Sequence, residues 1–234
     1  MSRPKSEPTS ELHAREAQAL DELGFVVLEQ VFDAAALERL RNAFEAACNS
    51  GVPATGRAET GTRHPGDLEQ RDAVFAAVLE EPRVLAAVRH VLQRPFKLLF
   101  LAGRDPLPGF GQQGLHTDWF AREPGEPFAV VSALWILDEF SGENGAPRVL
   151  PGSHRVPRPI PKEMQAPAAH HAREQLVLAH AGSVLVFNGH LAHSGTLNRS
   201  RGSRRSLHSQ WIALDRAHQA YSSQTAAGGE RGPA

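Results

Sequence analysis

Residues 114–120 read GLHTDWF. His116 and Asp118 are two apart, and on extended backbone such residues project to the same face. An imidazole and a carboxylate aimed at one spot form either a plain hydrogen-bonded pair or two thirds of a metal site. Two histidines and one carboxylate on one face of an octahedron leave three positions open, which suits Fe(II) binding a co-substrate and O2 together. Candidates for the missing donor lie in GSVLVFNGHLAHSGTLNRS, residues 182–200, as His190 and His193. Three apart on a regular strand, they face opposite sides, so only one should point to the metal. Among the other histidines, His13 and His90 fall in polar parts of helices, His64, His154, His170 and His171 in loop-like stretches, and His180 in a short strand.

A second feature follows closely. NRSRGSRRSLHSQW carries Arg199, Arg201, Arg204 and Arg205. Three of these read as a solvated basic turn. On a strand RRSLHSQW, however, Arg204, Ser206, His208 and Gln210 share one face, and Arg205, Leu207, Ser209 and Trp211 the other. A guanidinium at the head of an inward face is costly unless it meets an anion. Arginine is also the side chain that grips a carboxylate through two parallel hydrogen bonds.

The elements that must position these groups are legible in outline. With 234 residues, 41% hydrophobic and 22% charged, the chain suits one soluble domain. A formal charge of −1 offers nothing general to nucleic acid or an anionic membrane. No apolar run approaches a membrane span, and the polar opening MSRPKSEPTS is unlike a signal peptide. The single cysteine, Cys48, excludes an internal disulfide and reads as a small core residue. A cytoplasmic protein, monomeric or weakly dimeric, is the expectation.

Residues 1–8 and the tail 218–234 read as disordered, leaving one domain over 9–217. Its first part, 9–93, reads as a helical support layer. A helix is expected from Thr9 or Ser10 to about Leu23, then a strand in GFVVLEQVF. Asp33 caps a second helix whose Leu37, Leu40, Phe44 and Ala47 fall on one face. Residues 50–67 have no period and read as a loop, and 68–93 return to helical spacing with a break near Pro82. From 94 to 217 short β-rich runs alternate with Gly, Pro and Asn, which suggests a β-sandwich or barrel. The fold class is mainly β with N-terminal helices.

Taken together, ALDELGFVVLEQVFDAAALERLR, GLHTDW, WILDEFSGENGAPRVLPGSHR and GSVLVFNGHLAHSGTLNRSRGSRRS resemble the phytanoyl-CoA dioxygenase family of Fe(II)- and 2-oxoglutarate-dependent oxygenases, over roughly Glu16 to Asp215. The resemblance implies a double-stranded β-helix, that is, a cupin-like jelly roll. It implies His116, Asp118 and His193 as iron ligands and catalytic centre. The family's arginine stands eleven residues after the distal histidine, which selects His193 over His190 and assigns Arg204 to the far carboxylate of 2-oxoglutarate. Trp135 is a further carry-over to the co-substrate pocket. Where relatives often carry a hydroxyl two residues after the distal histidine, this chain has Gly195, flanked by Ser194 and Thr196, either of which would substitute. The implied chemistry consumes O2 and the keto acid, releases succinate and CO2, and hydroxylates a C–H bond. Desaturation, epimerisation or cyclisation are alternative outcomes, and a non-catalytic metal-binding module is a further one. Halogenation is disfavoured because Asp118 is present. A small metabolite or natural-product intermediate is the expected substrate rather than a coenzyme A thioester, with Trp119, Phe120, Arg122, His208 and Gln210 as pocket candidates. Segments 50–67 and 155–175 are candidate lids.

Overall fold

The computed structural model describes residues 11–50 and 59–219. Four helices, α1 (Ala14–Glu22), α2 (Ala34–Asn49), α3 (Ala73–Val78) and α4 (Pro82–Leu92), lie against one face of a twisted sheet. The strands are β1 (Phe25–Leu28), β2 (Thr62–Arg63), β3 (Phe96–Pro106), β4 (Val130–Ile136), β5 (Arg148–Val149), β6 (Gln175–Leu176), β7 (Val184–Asn188), β8 (His193–Ser194) and β9 (Ser206–Ala213). The large sheet runs β1-β7-β4-β9-β3-β2, and β6-β5-β8 form a small sheet facing it. All their pairings are antiparallel. This is a jelly roll with a helical layer on its outer side. No helix among the described residues is long and apolar enough to cross a membrane.

Local chemistry accounts for the helices. Asp33 caps α2 by accepting from the Ala36 N–H at 2.8 Å. Leu37, Leu40, Phe44 and Ala47 are its buried residues, the stripe a 3.6-residue period dictates. Pro82 opens α4, where its missing N–H costs nothing. The first helix starts later than its Thr9 or Ser10 cap would have it. Glu16 reaches back to the His13 N–H at 2.9 Å, and the helix begins at Ala14.

The large sheet separates two environments. Val131, Ala133, Trp135, Leu207 and Trp211 face the helices. Leu134, Ile136, Leu185 and Phe187 face the small sheet, where they meet Phe140, Val149 and Leu191. The polar site replaces part of this second core. A bulge between Leu98 and Phe100 reverses the phase of β3: Leu98 pairs with Trp211 on the helical face, and Phe100 with Gln210 on the other. Beyond it Ala102 and Arg104 therefore point inward, opposite His208 and Ser206.

Several expectations need adjustment. The strand in GFVVLEQVF is only β1, because Gln30 adopts φ 55° in a turn. The segment 50–67 contains β2, which pairs with the end of β3. The segment 155–175 holds a short 3-10 turn at Lys162–Gln165 and ends where strand β6 begins, at Gln175. The expected tail begins too early, since residues 217–219 still have helical backbone. The disorder expected for 1–8 and for 220–234 lies outside the described residues.

Candidate active site

His116 is not on a regular strand. It forms an isolated antiparallel bridge with His193. Each donates its backbone N–H to the other's carbonyl, both at 2.9 Å. Two residues on, the Asp118 N–H donates to the Gly189 carbonyl at 2.8 Å. Pairing at both ends keeps the segment extended, so His116 and Asp118 share a face despite the missing strand. The imidazoles of the bridged histidines lie 4.5 Å apart between ring centres.

Both rings are oriented the same way. Nδ1 of His116 donates to the Gly114 carbonyl, and Nδ1 of His193 to that of Leu191, each at 3.0 Å. Nε2 of each is left to face the cluster, the usual arrangement when backbone carbonyls orient a metal-binding imidazole. One ligand atom from each of His116, Asp118 and His193 lies within 4.8 Å of the other two. No other cluster of this kind occurs among the described residues.

The electrostatics suit a cation. Burial works to raise the Asp118 carboxyl, but His193, His208, His116 and the Ser132 hydroxyl outweigh it, and the group is held below its ordinary range. Ser132 donates to Asp118 Oδ2 at 2.5 Å and itself accepts from Gln210 Nε2 at 3.1 Å. Burial pushes His193 down to about 4. At neutral pH His193 is therefore a neutral imidazole beside an ionised Asp118, the protonation states that metal ligation needs.

His190 is turned away. β7 ends at Asn188, whose side chain accepts from the His190 N–H at 3.0 Å, and the turn closes with Leu191 N–H to the Asn188 carbonyl at 2.8 Å. His190 Nε2 then accepts from the Ala129 N–H at 3.4 Å beside Phe128. A turn, not strand alternation, separates the two histidines.

Arg204 is 1% exposed. Its backbone N–H donates to Asp105 Oδ1 at 2.8 Å, and its guanidinium lies 5.0 Å over the Phe140 ring. Nε is buried without a hydrogen-bond partner, and no carboxylate of the described residues forms an ion pair with this side chain. Burial, then the nearby charge of Arg104, press it down to about 9, so it is still a cation at neutral pH. A buried cation without a counter-ion is a socket for an anion.

His208 and Gln210 lie on the same inward face. His208 Nε2 is 4.0 Å from Asp118 Oδ2, has no hydrogen-bond partner, and packs edge-on against Phe100 at 5.1 Å. Trp119 packs beside Val130 and Ile212 and meets Phe120, which is 57% exposed. Arg122 does not reach the cluster. Its guanidinium is committed to the carbonyls of Glu126 and His154 and lies 4.6 Å over Phe128.

Three side chains expected at the co-substrate are engaged elsewhere in the structure. Trp135 projects into the helical core, 5.8 Å from Phe32, and donates Nε1–H to Ser209 Oγ at 2.7 Å. The inward neighbour in that strand is Leu134. Trp135→Phe is expected to lower stability by about 1–3 kcal/mol, because Ser209 loses a buried partner, while leaving metal and keto-acid affinity unchanged in titrations. Ser194 Oγ accepts from Arg148 Nε at 2.7 Å, and Thr196 Oγ1 donates to the Ala146 carbonyl at 2.7 Å. Neither hydroxyl is bonded to Arg204.

Sequence reasoning also passed over Ser132, Arg104, Glu59, Gln113 and Arg148. Arg104 forms a two-point ion pair with Glu59 at 2.5 and 2.9 Å. Arg148 bonds Ser194, Gln113 O, Pro167 O, Ala169 O and Glu174, tying the segments that carry both histidines to residues 167–174.

Comparison with known proteins bears on the family and the fold. Dioxygenase trt7 of Aspergillus terreus is 30% identical over 82% of this chain and 70% of its own length. Dioxygenase cdmA of Talaromyces verruculosus is 27% identical over 81% and 69%. Among solved structures, HygX from Streptomyces hygroscopicus, with nickel and 2-oxoglutarate bound, superposes with a TM-score of 0.73 at 22% identity, covering 87% of this chain and 88% of that one. SnoK, a carbocyclase of nogalamycin biosynthesis, gives 0.70 at 16% identity, covering 92% and 94%. These two establish a shared jelly-roll fold. The phytanoyl-CoA dioxygenase (PhyH) profile matches residues 20–206, and the chain belongs to that family.

Proposed function

We propose that the protein is an Fe(II)- and 2-oxoglutarate-dependent dioxygenase that hydroxylates a C–H bond of a small metabolite or natural-product intermediate. One observation carries the reading. The donor set His116, Asp118 and His193 stands with a buried guanidinium that has no counter-ion, Arg204, whose strand-face neighbour His208 is 4.0 Å from Asp118 Oδ2. Two nitrogens and one oxygen suit Fe(II) with open positions, and a buried guanidinium suits the distal carboxylate of a keto acid.

When bound, Fe(II) and the keto acid supply oxygen activation, with succinate and CO2 as by-products. The chain's own groups hold and orient. His116 and His193 offer Nε2 because their Nδ1 protons are held by carbonyls. Asp118 stays ionised and is aimed by Ser132, which Gln210 aims in turn. Arg204 fixes the far end of the co-substrate and so its orientation at the metal. Phe187, 4.6 Å from the His193 ring, shields that ligand from water. The half-buried, unpaired Cys48 supports a reducing, cytoplasmic setting.

Adding 2-oxoglutarate to the Fe(II)-loaded protein without oxygen is expected to give a weak visible charge-transfer absorption. Iron binding without that absorption sinks the co-substrate assignment. Product mass then separates the outcomes. Hydroxylation adds one oxygen, desaturation or ring closure removes two hydrogens, and epimerisation leaves the mass unchanged.

A further inference from the structure

We infer that Arg104, held in place by Glu59, supplies the second half of the clamp on the keto acid's distal carboxylate, beside Arg204. This rests on the oxygenase reading. It begins with what Gly195 excludes. A Cβ built on Gly195 would stand 2.5 Å from the Gly111 carbonyl, a backbone atom that cannot step aside. No hydroxyl-bearing side chain fits there without moving the chain. The same Cβ position is 3.3 Å from Arg104 Nη2 and 3.3 Å from Gln113 Oε1. The space next to Gly195 is therefore taken by a guanidinium and an amide.

The fold puts Arg104 there deliberately. Without the bulge after Leu98, β3 would turn Arg104 toward the helices and Asp105 inward. With it, Arg104 stands opposite Ser206 on the face that Arg204 and His208 share. Arg104 is also the cation whose charge weighs most on Arg204. The charge of Arg104 bears on Arg204, with Asp105 and Glu59 opposing it, and an anion beside both guanidiniums would relieve that repulsion.

Glu59 does not use up Arg104. It accepts one hydrogen from Nη1 and one from Nη2. A guanidinium carries five N–H donors, so Nη2 keeps a second hydrogen on the Gly195 side. Glu59 instead fixes the plane of the guanidinium, with His64 Nε2 at 3.3 Å as a further neighbour. Gln113 completes the wall, accepting from the Gly195 N–H at 3.1 Å and lying 3.4 Å from Glu59 Oε2. The arrangement selects keto acids with a second carboxylate over those without one.

The test compares binding of 2-oxoglutarate with that of pyruvate, which has no distal carboxylate, to the Ni(II)-loaded protein by calorimetry. The variants are Arg104→Gln and the double variant Arg104→Gln/Glu59→Gln, which leaves no unpaired carboxylate behind. Both are expected to weaken 2-oxoglutarate by roughly tenfold to a hundredfold, the scale of a charge-assisted hydrogen bond, and to leave pyruvate unchanged. The ratio of the two Kd values does not depend on the folded fraction. Recovery of wild-type affinity in the double variant would mean that Arg104 merely neutralises Glu59, and the inference fails. Equal weakening of pyruvate places the effect at the metal end and overturns it as well. Wild-type protein that binds neither keto acid sinks the oxygenase reading itself, and Arg104's role with it.

Discussion

His193→Ala will remove tight Fe(II) binding, and His190→Ala will not. The two histidines are three residues apart and both buried, but only His193 offers a nitrogen to the cluster that contains His116 and Asp118. Losing a ligand should cost more than the 10–100-fold in metal affinity that loss of an outer-shell partner typically costs. That range is expected for Ser132→Ala, which removes only the hydroxyl that aims Asp118. His190→Ala should instead lower stability by about 1–3 kcal/mol, because the buried Ala129 N–H loses its acceptor. Metal titration and thermal melts on the same four proteins separate the effects. Equal metal affinities for His193→Ala and wild type would remove His193 from the site.

Arg204→Met is expected to make the protein more stable and unable to hold the co-substrate. A buried charge without a partner is a cost, and even buried ion pairs replaced by apolar residues of similar volume are often neutral or more stable by about 1–4 kcal/mol. The Phe140 ring already offers an apolar surface for the methionine. Wild-type, metal-loaded protein should gain about 2.7 kcal/mol from 2-oxoglutarate at a hundred times its Kd, and the variant nothing. Melting curves with and without the keto acid check both signs. A variant that melts lower than wild type and still responds to the keto acid would show a purely structural arginine.

What was legible in the sequence follows from which contacts are local. The α2 stripe and its Asp33 cap depend on neighbours within one turn and were read correctly. The inward face of Arg204, Ser206, His208 and Gln210 was legible because all four are polar, while Leu207 and Trp211 mark the opposite face. β4 has no such alternation. VVSALWI is buried along its whole length, so nothing in it sets which residues face the site. Nothing local in β4 checks the carry-over of Trp135 from the resemblance, and nothing marks Ser132. Arg104 was hidden by the bulge at Leu98, which reverses a phase that the sequence shows as continuous. Glu59, Gln113 and Arg148 owe their roles to partners far along the chain, and no local pattern marks them.

The reciprocal bridge between His116 and His193 has a kinetic consequence. Both ligand side chains rise from one rung that joins distant parts of the chain, and such pairings carry the largest loop-closure cost. The rung exists only once the roll has closed, so a partly folded chain has no pocket to load. Metal therefore adds its binding energy to the finished structure rather than to the barrier crossed on the way in. It should leave the refolding rate nearly unchanged and lengthen the lifetime of the native state.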